Sequence, residues 1–186
     1  MAWYFIVGIV VVLIIIFIVT YNTLVRLRNQ VRNSWAQIDV QLKRRYDLIP
    51  NLIETVKGYM KHERETLESI TKARNLAQQV ASSGPSVRSK AESELSSALA
   101  RLLAVVENYP DLKANQNFLA LQEELTSTEN KISFSRQYYN DSVLRYNNRT
   151  QMFPSNMVAS MTGFKASEFF EVSVAGEREA PKVSFT

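Results

Sequence analysis

Residues 3–19 are all apolar or Gly, and the run closes on Thr20-Tyr21-Asn22. At about 1.5 Å per helical residue it reaches roughly 26 Å, the short end for a bilayer hydrocarbon core. Trp3, Tyr4, Phe5, Phe17 and Tyr21 give this anchor its aromatic side chains, with Trp3, Tyr4 and Tyr21 suited to the two interfaces. A cleaved signal peptide would want a basic leader and a small-x-small site. No Lys or Arg precedes Arg26, and no such site follows the run, so an uncleaved single-pass anchor over residues 1–20 is expected. Arg26, Arg28 and Arg32 follow the span closely, with Lys43, Arg44 and Arg45 beyond. By the positive-inside rule the N-terminus is expected outside and the long C-terminal part in the cytoplasm.

The remainder is patterned for helices. Gly and Pro number only five each and sit mostly at helix boundaries, which argues for an all-α fold and against a many-stranded one. Leu24, Leu27, Val31, Trp35, Ile38, Leu42 and Tyr46 step by threes and fours, a coiled-coil-like seam continuing out of the membrane. Pro50 is expected to interrupt it, with residues 47–50 forming a turn or kink before a second helix. That helix would carry Ile53, Val56, Met60, Glu63, Leu67, Ile70, Arg74, Ala77 and Val80 on one face, ending at Ser82-Ser83-Gly84-Pro85. A third helix follows (Val87, Ala91, Leu95, Ala98, Leu102, Val105) up to Asn108-Tyr109-Pro110-Asp111. The fourth, from Phe118 through Ile132 and Tyr139 to about Asn148, is the longest. Short connections favour an antiparallel up-and-down four-helix bundle over residues 21–149 rather than two long kinked helices. Residues 150–174 form an irregular apolar segment expected to pack on the bundle or a neighbour, and residues 175–186 a flexible tail.

Candidate chemistry is sparse. The absence of Cys excludes thiol catalysis, disulfides and thiolate metal sites. His62 is the single histidine, beside Glu63 and Glu65, which is too little for a metal site and reads as a solvated helix position. There is no Gly-x-Ser-x-Gly elbow and no Gly-rich phosphate loop. No catalytic residue, cofactor, metal or small-molecule substrate is therefore expected, and the small basic cluster lacks a nucleic-acid reading motif.

Four other groups of residues carry expectations. Arg26 and Arg28 lie close enough to the bilayer for lipid headgroup contact. Lys43, Arg44 and Arg45, more than about 30 Å along the helix, read as a solvated or salt-bridged face, or as a partner-binding patch. Glu63, Arg74, Glu129 and Arg136 fall on or beside apolar seams and are expected to form buried Glu–Arg pairs, because an unpaired core charge costs several kcal/mol. Met152, Phe153, Met161, Phe164, Phe169 and Phe170 form an apolar stripe suited to self-association.

The stretch Tyr21-Asn22-Thr23-Leu24-Val25-Arg26-Leu27-Arg28-Asn29-Gln30-Val31, then Trp35, Ile38-Asp39-Val40-Gln41-Leu42-Lys43-Arg44-Arg45-Tyr46-Asp47-Leu48-Ile49-Pro50-Asn51-Leu52 and Glu54-Thr55-Val56-Lys57-Gly58-Tyr59, closely resembles the LemA family of bacterial membrane proteins. The likeness continues at Tyr109-Pro110-Asp111-Leu112-Lys113-Ala114, Leu125-Thr126-Ser127-Thr128-Glu129-Asn130-Lys131-Ile132, Phe153-Pro154-Ser155-Asn156 and Ala180-Pro181-Lys182-Val183. The resemblance implies an inner-membrane anchor followed by a bromodomain-like four-helix bundle. It implies no catalytic residues, and only loose associations with envelope stress and membrane protein quality control. Together these readings point to a non-enzymatic, membrane-anchored scaffold that forms homo-oligomers. A tethered binding or sensory module, recognising a peptide, a lipid or another membrane protein such as a protease, is the alternative.

Overall fold

In a computed structural model of the chain, residues 1–60 and 62–171 are described, the side chain of Ala2 apart. They form six helices and, among the described residues, no strand: α1 (Ala2–Lys57), α2 (Arg64–Gln79), α3 (Pro85–Val106), α4 (Pro110–Lys113), α5 (Gln116–Gln151) and α6 (Ser155–Thr162). The fold class is all-α, as the sequence leads one to expect. Residues 172–186, which include the whole of the expected flexible tail, lie outside the described residues.

The 56 residues of α1 make a helix of about 84 Å. Its first part is a continuous sleeve of exposed aliphatic and aromatic side chains, and Thr20 is the first buried residue. Among the described residues α1 is the one helix long and apolar enough to cross a membrane, with a mean hydropathy of 3.0 in its most apolar window, 6% of which is buried. A core helix of a soluble protein would be largely buried, so this stretch needs an apolar solvent. Beyond it Leu24, Val31, Ile38, Leu42, Ile49, Leu52 and Val56 are buried, keeping the expected seam.

The seam does not stop at Pro50. α1 runs through it to Lys57, so the expected turn at residues 47–50 is absent. Pro50 has no N–H to give the carbonyl four residues back, that of Tyr46. That carbonyl instead accepts a hydrogen bond from Nε of Arg74 on α2, at 2.7 Å. A cation brought in from another helix thus satisfies the acceptor that proline orphans. The chain turns later, at Gly58-Tyr59-Met60, where the amides of Tyr59 and Met60 both bond the Val56 carbonyl. Residues 53–57, assigned above to the second helix, therefore belong to the first.

Gly84 in an extended conformation and Pro85 at the first turn open α3, and α3 packs against α2. Pro110 similarly opens the single turn α4. Asn115 Oδ1 then accepts from the Phe118 amide at 3.0 Å, satisfying one of the free donors at the start of α5.

The contacts divide the chain into two compact units, with α1 and α5 each contributing to both. In the unit of residues 41–131 and 170 onward, α1, α2, α3 and α5 meet around Arg45 and Tyr46. In the unit of residues 1–40 and 132–169, α5 lies alongside α1, with the rings of Trp35 and Tyr139 5.1 Å apart, and α6 packs on Leu24 through Val158 and Ala159. The segment expected to be irregular thus contains a helix. α6 ends at Gly163, whose φ of 76° is the left-handed conformation that glycine adopts without strain. The Phe164 amide bonds the Ala159 carbonyl at 3.0 Å, and its ring packs back on the same small core, the hydrogen-bond and contact pattern of a Schellman stop. The following strand-free stretch is pinned to α5. Asn147 bonds both the carbonyl and the amide of Ser167 (2.9 and 2.8 Å), and Tyr146 and Tyr139 donate to the carbonyls of Lys165 and Glu168, each at 2.8 Å.

Candidate functional site

Three features stand out from the helical framework: a buried arginine network, a groove beside it, and the foot of α1 where it leaves the apolar run.

The network centres on Arg45, whose side chain is 1% exposed. Its guanidinium bonds Glu92 on α3, Glu129 on α5 at 2.7 Å, and Ser96 Oγ at 2.9 Å. The Tyr46 hydroxyl donates to the other oxygen of Glu92. Burial first, then the bond to Glu92 and the charge on it, push the Tyr46 phenol well above its ordinary range, so it stays a donor. Arg45 is therefore not part of an exposed basic patch, because successive helix residues point about 100° apart. Lys43 is exposed, Arg44 pairs with Glu124, and Arg45 points inward. The three expected partner-binding cations do not share a surface.

The four expected ion-pair residues also divide. Glu129 pairs, though with Arg45. Arg74 serves the Tyr46 carbonyl, and Glu63 accepts from the Tyr109 hydroxyl at 3.3 Å, which raises that phenol by partial burial and by the glutamate charge. Arg136 is half-buried on α5. Sequence reasoning missed Glu92, Ser96 and the buried Arg88. The signal was present: Arg88 and Glu92 stand one helical turn apart, in register with Leu95, Leu99, Leu102 and Val106.

Beside the network lies a groove of about 260 Å³, walled by Leu52, Leu99, Leu103 and Leu125, with Ser96 and Glu129 at its edge. Among the described residues no group of three His, Cys, Asp or Glu could hold a metal ion, and His62 is exposed.

Trp3, Tyr4 and Phe5, which open the apolar run, are 71–80% exposed, and at its foot Phe17 and Tyr21 are just under 40% exposed. Arg26 is exposed, while the Arg28 guanidinium sits 4.8 Å over the Phe164 ring, which also meets Tyr21 edge-on at 5.8 Å. Of the expected self-association stripe, Met152, Phe153 and Met161 are exposed and Phe169 marginally so. Phe164 is half-buried against Leu24, Val158 and Ala159. Phe170 is 2% exposed, so it is core and offers nothing to a second copy.

A protein-family model described as the LemA family matches residues 34–185. The chain belongs to the LemA family. A protein named LemA from Metamycoplasma hominis is 29% identical over 82% of this chain and 72% of its own length. Two proteins named as magnetosome proteins MamQ are also similar. That of Paramagnetospirillum magneticum is 24% identical over 90% of this chain and 71% of its own, and that of Magnetospirillum gryphiswaldense 23% over 84% and 66%. Membership of this family, with an exposed apolar helix at the N-terminal end, makes the chain a membrane-associated LemA-family protein.

Proposed function

We propose that this protein is a non-enzymatic, single-pass scaffold that self-associates laterally on one face of a bacterial inner membrane, in the service of envelope stress or membrane protein quality control. The observation that carries the reading is the exposure of Phe134 (72%) and Val40 (62%) on long helices. Trp35 against Tyr139, with Tyr146 in the field of Arg28, sets α5 antiparallel to α1, so Phe134 stands near the level of Val40, about 30 Å past the apolar run. Lipid does not reach that height, and a side-by-side neighbour with its anchor in the same bilayer does. The cytoplasmic placement of the helices past the span rests on Arg26, Arg28 and Arg32, and on Arg145, Arg149 and Lys165 in the same unit. The test is the protein's mass in mild detergent, by light scattering that separates protein from detergent. A discrete assembly that Phe134→Asp reduces towards monomer supports the proposal; a monomer at micromolar concentration rejects it.

The groove walled by Leu52, Leu99 and Leu125 favours a second reading, a tethered module that takes an apolar peptide or chain. Charge reversal at Lys43 and Arg44 separates the two, since it weakens partner capture and leaves assembly intact. Arg45 is unsuitable for that experiment because its reversal would set a second buried carboxylate against Glu92.

A further inference from the structure

The foot of the unit built from residues 1–40 and 132–169 carries two unusual properties together. One is apolar: Met152 (59%), Phe153 (79%), Met157 (57%) and Met161 (76%) are all exposed, while the opposite face of α6, Val158 and Ala159, is spent on Leu24. The other is electrostatic. Residues 1–38 and 142–167 contain no Asp or Glu, yet they hold Arg26, Arg28, Arg32, Arg145, Arg149 and Lys165. The unit as a whole has seven Lys and Arg against three Asp and Glu, so the entire +4 of the chain resides in it. The Nε atoms of Arg28 and Arg149 are buried with no hydrogen-bond partner among the described residues.

The register between the helices says what lies opposite this surface. Trp35 packs on Tyr139, and Tyr146 lies in the field of Arg28 and Arg32. α5 therefore descends towards the membrane, each of its residues bringing it about 1.5 Å closer to the span. Continued to its end, that register sets Met152 and Phe153 opposite Tyr21 and Asn22, roughly 3–5 Å past the apolar run. Leu24, on which α6 rests, is about 7 Å past it. The headgroup region of a bilayer is about 5–8 Å deep on each side. Exposed Met and Phe at that depth, ringed by uncompensated cations, match a helix lying in the interface.

We infer that α6 and the Met152-Phe153-Pro154 turn form a second membrane contact, seated in the leaflet where α1 emerges. Met152, Phe153, Met157 and Met161 reach the acyl boundary, Arg26 and Arg149 meet anionic headgroups, and Arg145 and Lys165, farther up, add to the field that attracts them. The occupant of this surface is bilayer lipid, by continuity with the span and by charge. Three residues of the expected self-association stripe are thereby reassigned from a second copy of the chain to the membrane.

The chain has no native Cys, so single-site labelling is clean. Met157→Cys, Met161→Cys and, as the high reference, Ser133→Cys at an exposed position turned away from Phe134, are each labelled with a nitroxide in the full chain, reconstituted in vesicles of phosphatidylcholine with phosphatidylglycerol. Collision rates with oxygen and with a water-soluble nickel complex are then measured. The expected result is an oxygen-dominated ratio at 157 and 161, an aqueous one at 133, and a shift of the first two towards aqueous values in pure phosphatidylcholine. Nickel-accessible labels at 157 and 161 in both vesicle types overturn the inference. So does protection accompanied by spin–spin broadening between fully labelled chains, which would return the surface to self-association.

Discussion

Replacing Arg45 by Met tests the buried network most directly. The Glu92 side chain is 6% exposed, so losing Arg45 removes a bonded cation from a carboxylate in the core, to which the Tyr46 hydroxyl still donates. Breaking a buried pair from one side costs about 3–5 kcal/mol. Glu129 adds little to that figure, because its side chain is 44% exposed and can turn to water. The double variant Arg45→Met with Glu92→Leu removes both charges and fills similar volume. Its residual penalty is the unpaired Tyr46 hydroxyl, about 1–3 kcal/mol before that group finds Ser96 or water. The double variant should therefore be more stable than the single one by about 2 kcal/mol, a coupling that distant, independent sites do not show. Thermal unfolding of the helices, followed by far-ultraviolet circular dichroism in mild detergent, reads the difference. At about 2–4 °C per kcal/mol for a chain of this size, Arg45→Met should melt roughly 10 °C below wild type and the double variant should regain about half. A single variant within about 1 kcal/mol of wild type, or a double variant no better than the single, would refute the reasoning.

Pro50 and Arg74 should be coupled in the same way. Arg74→Leu orphans the Tyr46 carbonyl and should cost about 1–3 kcal/mol in the native background, but far less beside Pro50→Ala, whose new amide takes over that acceptor, as a double-mutant cycle by denaturant titration will show. Tyr139, pushed up to about 12 by burial and then by the charge of Glu168, is neutral in the folded chain well above its unfolded value of about 10. Its contribution is full below pH 10 and lost as pH rises through about 12; Tyr139→Phe should flatten the stability-against-pH curve across that window. Gly163→Ala meets no neighbouring atom within 4 Å, so its cost is the left-handed backbone alone, about 1 kcal/mol, read as faster amide exchange over α6.

What the sequence made legible and what it hid follow one physical division. The anchor and the seams of α1, α3 and α5 depend on periodicity within a few turns, so they can be read from local spacing. Pro50 was misjudged because its rule is local and its remedy is not: the carbonyl it leaves bare is served from Arg74, on another helix. Arg45 was misjudged for the same reason. Three consecutive cations look like a surface patch until Glu92 and Glu129 arrive from α3 and α5. α6 was hidden differently. Its exposed Met157 and Met161 break the polar-outside pattern by which a short helix is recognised in water, and that break is informative once its position beside Leu24 is known.

Charge placement and apolar exposure together sort the surfaces of this chain. Residues 41–131 hold thirteen basic against twelve acidic side chains, and Arg45, buried among them, is neutralised by Glu92 and Glu129. The other unit leaves most of its cations near the span without a carboxylate partner among the described residues, an arrangement that self-repels in water. It stops being costly beside an anionic leaflet, where each Lys or Arg gains about 1 kcal/mol. Unpaired cations beside Met and Phe therefore mark lipid. By contrast Phe134 stands about 30 Å from the span, with Lys131, Arg136 and Asp141 nearby in sequence, so no lipid explains its exposure. Two kinds of exposed apolar surface on one unit thus call for two different partners. Arg145→Gln with Arg149→Gln should weaken the dependence of α6 seating on anionic lipid while leaving the mass of the assembly unchanged, whereas Phe134→Asp should do the reverse. Variants that moved both readouts together would mean that the foot and the upper face serve one contact.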